Sequence, residues 1–458
     1  MNRMVSVLFL VPLLMLAGCL PGQMDAGAVI MPPMIAIEQK EMVNALRSSL
    51  PAGQNIDFVY PLNGEHRSAF VLSDLNKDRN REAIVFYRVR GAPGPEPTQI
   101  RINILSKESG SWESTDDISG EGMDIDKVMF GYSGFYGEQF VIIGFAMPDE
   151  AENLFRVYTR EDGRLKSLYE NTYIVLETID INNDGDLEIV YIRNTTRQSS
   201  IDLPMSNPAA HLIKYENGRF IRLGETQTDP NVIEYVNIAK GNADINKNAL
   251  YLDGRVSASS YNTQILMLDE DGIFTNAVYS ENSGVNLLSQ TERIRVPRSV
   301  DVDRCGVIEI PRVVPLPGWD ENDEDALFLT DWYEYIDGNV SYCFASFVNI
   351  RYGYIFRFPP NWINRQTGES MVSAVYFPYD DEIVFFRFEE NLHNRGEELL
   401  RIRRTATNND EYLDDDYFEI KTIGSISYMG MIQDTVTSEL SVTRNMVINL
   451  FAEDIAVS

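Results

Sequence analysis

The sequence predicts a mainly β chain assembled from repeats, and three observations carry that expectation. Two stretches echo one another across 106 residues: Asp74-Leu-Asn-Lys-Asp-Arg-Asn-Arg-Glu82 and Asp180-Ile-Asn-Asn-Asp-Gly-Asp-Leu-Glu188. Each offers oxygen side chains at positions 1, 3, 5, 7 and 9 and runs directly into an apolar segment, Ala83–Tyr87 and Ile189–Ile192, with the composition of a buried strand. A third element recurs five times, a strand followed by a turn ending in glycine and a further apolar position. Its glycines are Gly110, Gly163, Gly218, Gly272 and Gly338, spaced by 53, 55, 54 and 66 residues. Asp-Gly and Asn-Gly between strands are strong hairpin signals because the turn needs positive φ. Each turn glycine lies 24 to 30 residues beyond the end of an intact or degenerate acidic loop. Four strands per roughly 54 residues, five times over, is the arithmetic of a five-bladed β-propeller.

The alternating oxygens suit a hard cation, since calcium takes six to eight oxygen ligands in flexible geometry. The twelfth position separates the architectures that use such loops. An EF-hand needs a bidentate Glu there and a helix after it, whereas Val85 and Tyr191 occupy it here. The loops therefore join strand to strand, with Glu82 and Glu188 as the last oxygen ligands.

On these residues the chain resembles the FG-GAP/VCBS repeat family, the calcium-loop propellers also found in integrin α-subunit heads. It is similar more closely to bacterial lipoproteins built from such repeats. The family pattern, roughly D-x-[DN]-x-[DN]-G-x-x-[DE], is met at Asp180, Asn182, Asp184 and Glu188, and at Asp74, Asn76, Asp78 and Glu82 with Arg79 in place of the glycine. The resemblance spans about 290 residues and implies Ca2+ at two sites: Asp74, Asn76, Asp78, Asn80 and Glu82, and Asp180, Asn182, Asp184, Asp186 and Glu188. The other three repeats read as degenerate. Gly131–Glu138 keeps only the glutamate, Asp244–Asn248 lacks the terminal acid, and Asp301-Val-Asp-Arg-Cys-Gly-Val-Ile-Glu309 lacks the oxygen at position 5.

At the N-terminus, Arg3 precedes an apolar run, Met4 to Leu16, too short to span a bilayer, and then Leu16-Ala-Gly-Cys19. This resembles a bacterial lipoprotein signal, which implies cleavage before Cys19, lipid on its thiol, and a cell-membrane anchor on the extracytoplasmic face. Two or three acyl chains suffice for stable attachment. Residues 1–18 are thus read as signal peptide, 19–36 as a Pro-containing tether, 37–56 as a helix and lead-in, 57–348 as the propeller and 349–458 as a C-terminal α+β domain. Ile37, Met42, Val43, Leu46 and Leu50 share a broad helical face that ends at Pro51. Asp57–Tyr60 is a candidate for the strand that closes the ring. The last 110 residues lack the Asp-Gly hairpin. They read as an antiparallel sheet with one or two helices, or alternatively as two more degenerate blades. Strands are expected at Ala374–Phe377 and Ile383–Phe388 and a helix within Ser438–Ile455.

The formal net charge is −30, from 39 basic and 69 acidic residues. Loss of Arg3 with the signal peptide takes it to 38 − 69 = −31. Such a surface repels nucleic acid and attracts divalent cations. With Cys19 lipidated, Cys305 and Cys343 remain. An exported protein permits a disulfide between them, but nothing in the sequence fixes the Cβ geometry a bridge requires, and two buried free thiols are expected.

The chemistry search is mostly negative. His66, His211 and His393 are 145 and 182 residues apart without neighbouring ligand clusters, which leaves zinc and Ser-His-Asp constellations little to build on. No Gly-x-Ser-x-Gly, Walker loop or dinucleotide turn is present. The expectation is a lipid-anchored binding or scaffolding protein with structural Ca2+ loops, its ligand a protein or a glycan on the propeller face. Tyr132, Phe135 and Tyr136 are the candidate exposed aromatics. The alternative is a glycoside hydrolase using two acids from different blades that face one funnel, one of them with a raised pKa.

Overall fold

A computed structural model describes residues 33–90, 100–108, 110–134, 138–148, 152–197, 205–244, 246–280, 284–294, 297–407, 416–433 and 439–453. Cys19, the signal segment and most of the tether lie outside these residues. The described chain is mainly β, arranged as several antiparallel sheets, and it separates into two compact units.

The first unit comprises the N-terminal residues to Tyr60, Ser68–Gly120 and Asp162–Arg164. Its helix, Pro33–Ser49, covers the stretch whose apolar residues recur at helical spacing. Met42 and Leu46 are buried with Phe70, Val85, Tyr87, Leu105 and Trp112 of the first sheet, so the helix seals one face of that sheet. In the sheet, Glu82–Val89 pairs with Ile100–Glu108, which pairs with Ser111–Ser119. The free edge of Glu82–Val89 carries two short strands end to end, Phe70–Ser73 on its first half and Ile56–Phe58 on its second. The segment read as a ring-closing strand therefore extends its own sheet, because Ile56–Phe58 pairs with Tyr87–Val89.

The second unit contains four-stranded sheets in simple meander order. One runs Asp124–Ser133, Glu138–Ala146, Asn153–Glu161, Arg164–Tyr173. The next runs Val175–Ile179, Glu188–Arg197, Met205–Glu216, Arg219–Gln227. A third runs Glu234–Asn242, Asn248–Arg255, Tyr261–Leu268, Phe274–Asn276. The acidic loop always joins the first strand to the second, and the Gly turn the third to the fourth. All five turn glycines sit at positive φ, between 74° and 91°, and Asp162, Asn217 and Asp337 before three of them are also left-handed. Two consecutive positive φ values define the type I′ hairpin that the Asp-Gly and Asn-Gly pairs predicted.

The fifth repeat departs from this plan. Its first strand shrinks to a bridge between Val300 and Glu309. Ile310–Pro315, Phe328–Ile336 and Asn339–Asn349 follow, and the sheet then gains Tyr354–Arg357 and Phe451–Glu453. Sheet pairing thus crosses the boundary expected at residue 349. Val372–Phe377, Glu382–Arg387, Glu398–Ala406, Ile426–Met431 and Phe418–Ile423 make a further five-stranded sheet. The chain returns through the short helix Arg444–Leu450, capped by Thr443, whose hydroxyl accepts from the Met446 amide at 3.3 Å.

Successive sheets of the second unit pack through dry, aliphatic and aromatic layers. Phe140, Ile142, Phe155 and Val157 meet Leu176, Ile189 and Tyr191. On the opposite face Val190, Ile192 and Leu212 meet Leu250, Leu252 and Leu266, and Tyr251, Ile265 and Met267 meet Ile308 and Ile310. The largest cluster joins Phe347, Tyr354 and Phe356 of the fifth sheet to Trp362, Ala374, Phe385 and Leu400. The strands of the second and third of these sheets are apolar on both faces because each of the two sheets is covered on both sides.

Buried polar groups interrupt the layers, among them one ion pair. Asp253 and Arg293 form a fully buried ion pair, with Nη2 and Oδ1 2.9 Å apart and side chains 0% and 2% exposed. Thr263, Ser299 and Asn237 donate the remaining hydrogen bonds to the carboxylate at 2.7–2.9 Å. Burial alone would raise the Asp253 pKa, but Arg293 and the Ser299 and Thr263 donors outweigh it and hold it below the ordinary 3.8. A depressed carboxylate contributes stability above its unfolded pKa and loses it as pH falls through the folded value. Asp253→Asn should therefore cost about 3–5 kcal/mol in urea unfolding at pH 7, because it leaves Arg293 buried and uncompensated. That cost should shrink below pH 4. An equal cost at pH 7 and pH 3 would contradict the assignment.

Candidate functional site

Three acidic loops close in the same way. The glutamate ending each loop is buried, Glu82 at 2% and Glu188 and Glu309 at 0% exposure, and one carboxylate oxygen accepts the amide of the residue seven positions earlier. Leu75 donates to Glu82 at 2.8 Å, Ile181 to Glu188 at 3.0 Å and Val302 to Glu309 at 2.7 Å. The aspartate opening each loop accepts the amide five residues on: Arg79 to Asp74 at 3.0 Å, Gly185 to Asp180 at 3.0 Å, Gly306 to Asp301 at 2.9 Å. That sixth residue is left-handed in all three, with φ of 72°, 88° and 91°. Arg79 therefore adopts the glycine conformation at some cost in backbone strain, and the first loop keeps the geometry of the other two.

Between these anchors, alternate side chains fold onto the loop backbone. In the first loop Asn76 accepts from the Asp78 amide at 3.0 Å and Asp78 from the Asn80 amide at 2.7 Å. In the third repeat Asn182 accepts from Asp184 at 3.0 Å and Asp184 from Asp186 at 2.9 Å. These bonds hold side chains of both predicted ligand sets against their own loop backbones. Asp74 also keeps one buried carboxylate oxygen without a hydrogen-bond partner, which fits a cation at Asp74, Asn76, Asp78, Asn80 and Glu82.

The loop at 180–188 differs in charge. The ammonium of Lys214, projecting from Met205–Glu216, bonds to Asp184 and lies 3.1 Å from Asp186 and 3.4 Å from Glu188. Burial opposes the charge on Lys214, yet the three carboxylates hold its pKa above the ordinary lysine value. Burial pushes Glu188 up to about 7, with the Ile181 amide and Lys214 working against that. An ammonium therefore stands among the oxygens that the sequence assigned to a metal. Nothing in the loop motif signals it, since Lys214 follows Asp184 by 30 residues in an apolar strand.

The loop at 301–309, read as degenerate, gathers Asp301, Asp303, Cys305 and Glu309 with one ligand atom from each within 4.8 Å of the others. Sequence reasoning counted only oxygens at position 5 and passed over the sulfur of Cys305. Burial pushes Glu309 up to about 8, aided by Asp303, Asp301 and Glu334, and pushes the Cys305 thiol up to about 11. Cys305 and Cys343 are both free and, contrary to expectation, exposed. The Cys343 thiol donates to Glu334 at 3.2 Å.

Within the second unit the loops are hydrogen-bonded into a row. The Gly134 amide donates to Asp186 at 2.5 Å and the Leu187 amide to the Tyr132 carbonyl at 3.1 Å. Asn183 donates to the Asn246 carbonyl at 3.0 Å and Asn248 to Asn183 at 2.7 Å. Asn242 and Gly306 continue the row through a 2.9 Å backbone bond. Asn248, standing where the other loops place glutamate, makes the link to its neighbour.

The first strands of three consecutive sheets share an ion cluster. Glu177 sits between Lys127 and Lys240, one oxygen 3.3 Å from Lys127 and the other 2.7 Å from Lys240. Lys127 also donates to the Leu176 carbonyl at 3.2 Å. Of the aromatics singled out, Tyr132 is 47% exposed, while Phe135 and Tyr136 lie outside the described residues. A cleft of about 650 Å³ between the fifth sheet and the following one is lined by Trp319, Phe347, Tyr352, Tyr376, Arg351 and Arg395 among others.

No family model and no curated protein matches the chain. Among solved structures it is similar to the exotype rhamnogalacturonan lyase YesX at a TM-score of 0.31 and 11% identity, covering 75% of this chain and 74% of that one. It is similar to the rhamnogalacturonan lyase YesW at 0.29 and 9%, covering 82% and 91%, and to a mutant levansucrase of B. megaterium at 0.21 and 11%, covering 66% and 85%. Scores this low support no conclusion about substrate or reaction.

If Lys214 stands in for a cation, removing it should open the loop to metal. Lys214→Met should melt below wild type in chelator, because Asp184, Asp186 and Glu188 then repel one another. Calcium should restore it with at least tenfold tighter binding than wild type at this loop, about 1.4 kcal/mol. Equal calcium affinity in the two proteins, measured by calorimetry, would show that the lysine does not compete.

Proposed function

We propose that the chain is a lipid-anchored, extracytoplasmic binding or scaffolding protein whose repeats form a five-bladed propeller stabilised by structural cation loops. Calcium would take the loop of Asp74, Asn76, Asp78, Asn80 and Glu82. It would compete with Lys214 for that of Asp180, Asn182, Asp184, Asp186 and Glu188. Cys19 would carry the anchor, and a protein or glycan ligand would use the aromatic cleft around Trp319 and Tyr352, which offers flat apolar rings beside Arg351 and Arg395.

The observation that favours binding over hydrolysis is the position of Glu177. A glycoside hydrolase needs two carboxylates across the sugar, about 5–5.5 Å or 6.5–9.5 Å apart, one of them protonated at the start of the reaction. On the first strands, where a funnel would lie, Glu177 has both oxygens taken by lysines of the neighbouring sheets. Such a carboxylate ties neighbouring sheets together and is held in its charged form by two ammonium groups. Of the acids pushed up by burial, Glu188 and Glu309 each hold a loop amide through one oxygen, while Asp331 lies on the strand Phe328–Ile336.

Two measurements test this. Cys19→Ser should move the protein from the detergent to the aqueous phase on temperature-induced partitioning. Wild type already in the aqueous phase would refute the anchor. The full-length protein should release no reducing ends from polysaccharides, and Glu177→Gln should lower Tm while glycan or peptide binding in the cleft persists. Hydrolysis by wild type that Glu177→Gln abolishes would replace the binding role with an enzymatic one.

A further inference from the structure

The loop at 301–309 brings a sulfur together with its carboxylates, unlike the other acidic loops, and two of those carboxylates each keep a buried oxygen without a hydrogen-bond partner. Glu309 uses one oxygen on the Val302 amide at 2.7 Å. The other is buried without a hydrogen-bond partner. Asp301 uses Oδ2 on the Gly306 amide at 2.9 Å, and its Oδ1 is likewise buried and unpartnered. Asp303 uses Oδ1 on the Cys305 amide at 3.1 Å and keeps Oδ2, with Arg357 3.7 Å away. The Cys305 sulfur accepts weakly from the Val307 amide at 3.4 Å.

Backbone bonds therefore fix the orientation of three carboxylates and a thiol while leaving a convergent O3S set. A completely buried glutamate with one oxygen unsatisfied costs about 1–3 kcal/mol or more when charged, so its aim into the cluster requires a partner. Among the described residues, no lysine forms an ion pair with this loop as Lys214 does with the one at 180–188. Arg357, on the rim, is the nearest cation among the described ion pairs, and its guanidinium also stacks 4.1 Å over Phe344.

We propose that Asp301, Asp303, Cys305 and Glu309 form a site for a thiophilic divalent cation of the zinc class, distinct from the calcium proposed for the all-oxygen loops. Ligand atoms that all lie within 4.8 Å of one another suit it. Four ligands about 2.0–2.3 Å from a tetrahedral zinc lie roughly 3.3–3.8 Å from one another, so the set closes onto the ion by small side-chain adjustments. A thiolate in the donor set selects against calcium, which takes oxygen, and in favour of zinc and its congeners. Binding forms a metal–sulfur bond as the thiol proton leaves to solvent, with no change of oxidation state. All four protein positions are filled, so the site is structural and would clamp Val300–Glu309 where the first strand of the fifth repeat is reduced to one bridge.

The test uses the full chain with Zn2+, Ca2+ and Co2+ as probes. Zinc should slow alkylation of Cys305, followed by peptide mapping on the unmutated protein, while calcium leaves it unchanged. Cobalt should give a near-ultraviolet thiolate charge-transfer band in wild type and in Cys343→Ser, and none in Cys305→Ser. Cys305→Ser should bind zinc more weakly by over about tenfold, and Cys305→Asp should gain calcium response at zinc's expense. Unchanged zinc affinity in Cys305→Ser, or alkylation of Cys305 indifferent to zinc, would overturn the assignment. Calcium binding at the loops of residues 74–82 and 180–188 is read separately, in the Cys305→Ser background, so either proposal can fail alone.

Discussion

A buried glutamate accepting the amide of the residue seven positions before it organises three of the acidic loops, and the rest of those repeats depends on that contact. A charged carboxylate at 0% exposure is stable only with strong donors. The loop amide is one, and the second oxygen must find another. The tether fixes where the second strand starts, so it sets the register of the sheet behind it. It also gathers the aspartate and asparagine side chains into a small volume and thereby creates a strong demand for positive charge. Three loops meet that demand in three ways: oxygen side chains alone at residues 74–82, the Lys214 ammonium at 180–188, and a sulfur-containing set at 301–309.

With a net charge of −30, the chain places its few cations where carboxylates converge. Lys214 enters a loop, Lys127 and Lys240 clamp Glu177 across three sheets, and Arg293 neutralises Asp253 inside the fourth repeat. Exposed pairs elsewhere, such as Lys166 with Glu161, contribute little after solvent screening. The interior pairs matter because removing either partner strands a charge away from water. The same logic makes Glu177 a brace between the first strands of three sheets.

Much of the repeat was legible in the sequence because its signals are local. The Asp-Gly and Asn-Gly turns dictate positive φ at Gly163, Gly218 and Gly338, and the paired acidic motifs mark the loops before Glu82 and Glu188. The helix over Met42 and Leu46 follows from 3.6-residue spacing. What escaped is long-range or chemically atypical. Lys214 reaches a loop 30 residues away, and no local pattern announces which neighbour fills a cation position. Cys305 was discounted because the loop template counts oxygens alone. Ile56–Phe58 has a strand composition that cannot say which edge it will join, and Phe451–Glu453 crosses nearly a hundred residues to extend the fifth sheet.

The central claim is that the buried glutamate tethers organise the loops, and residue-resolved hydrogen exchange tests it most directly. The amides of Leu75, Ile181 and Val302 should exchange far more slowly than other amides of their loops, since each donates to a carboxylate out of contact with water. In Glu188→Ala, protection at Ile181 should collapse together with that of Asp184 and Gly185, while Leu75 and Val302 keep theirs. If Ile181 stayed protected without Glu188, or if all three amides exchanged as fast as exposed loop amides in the unmutated protein, the glutamate would not be the organising contact.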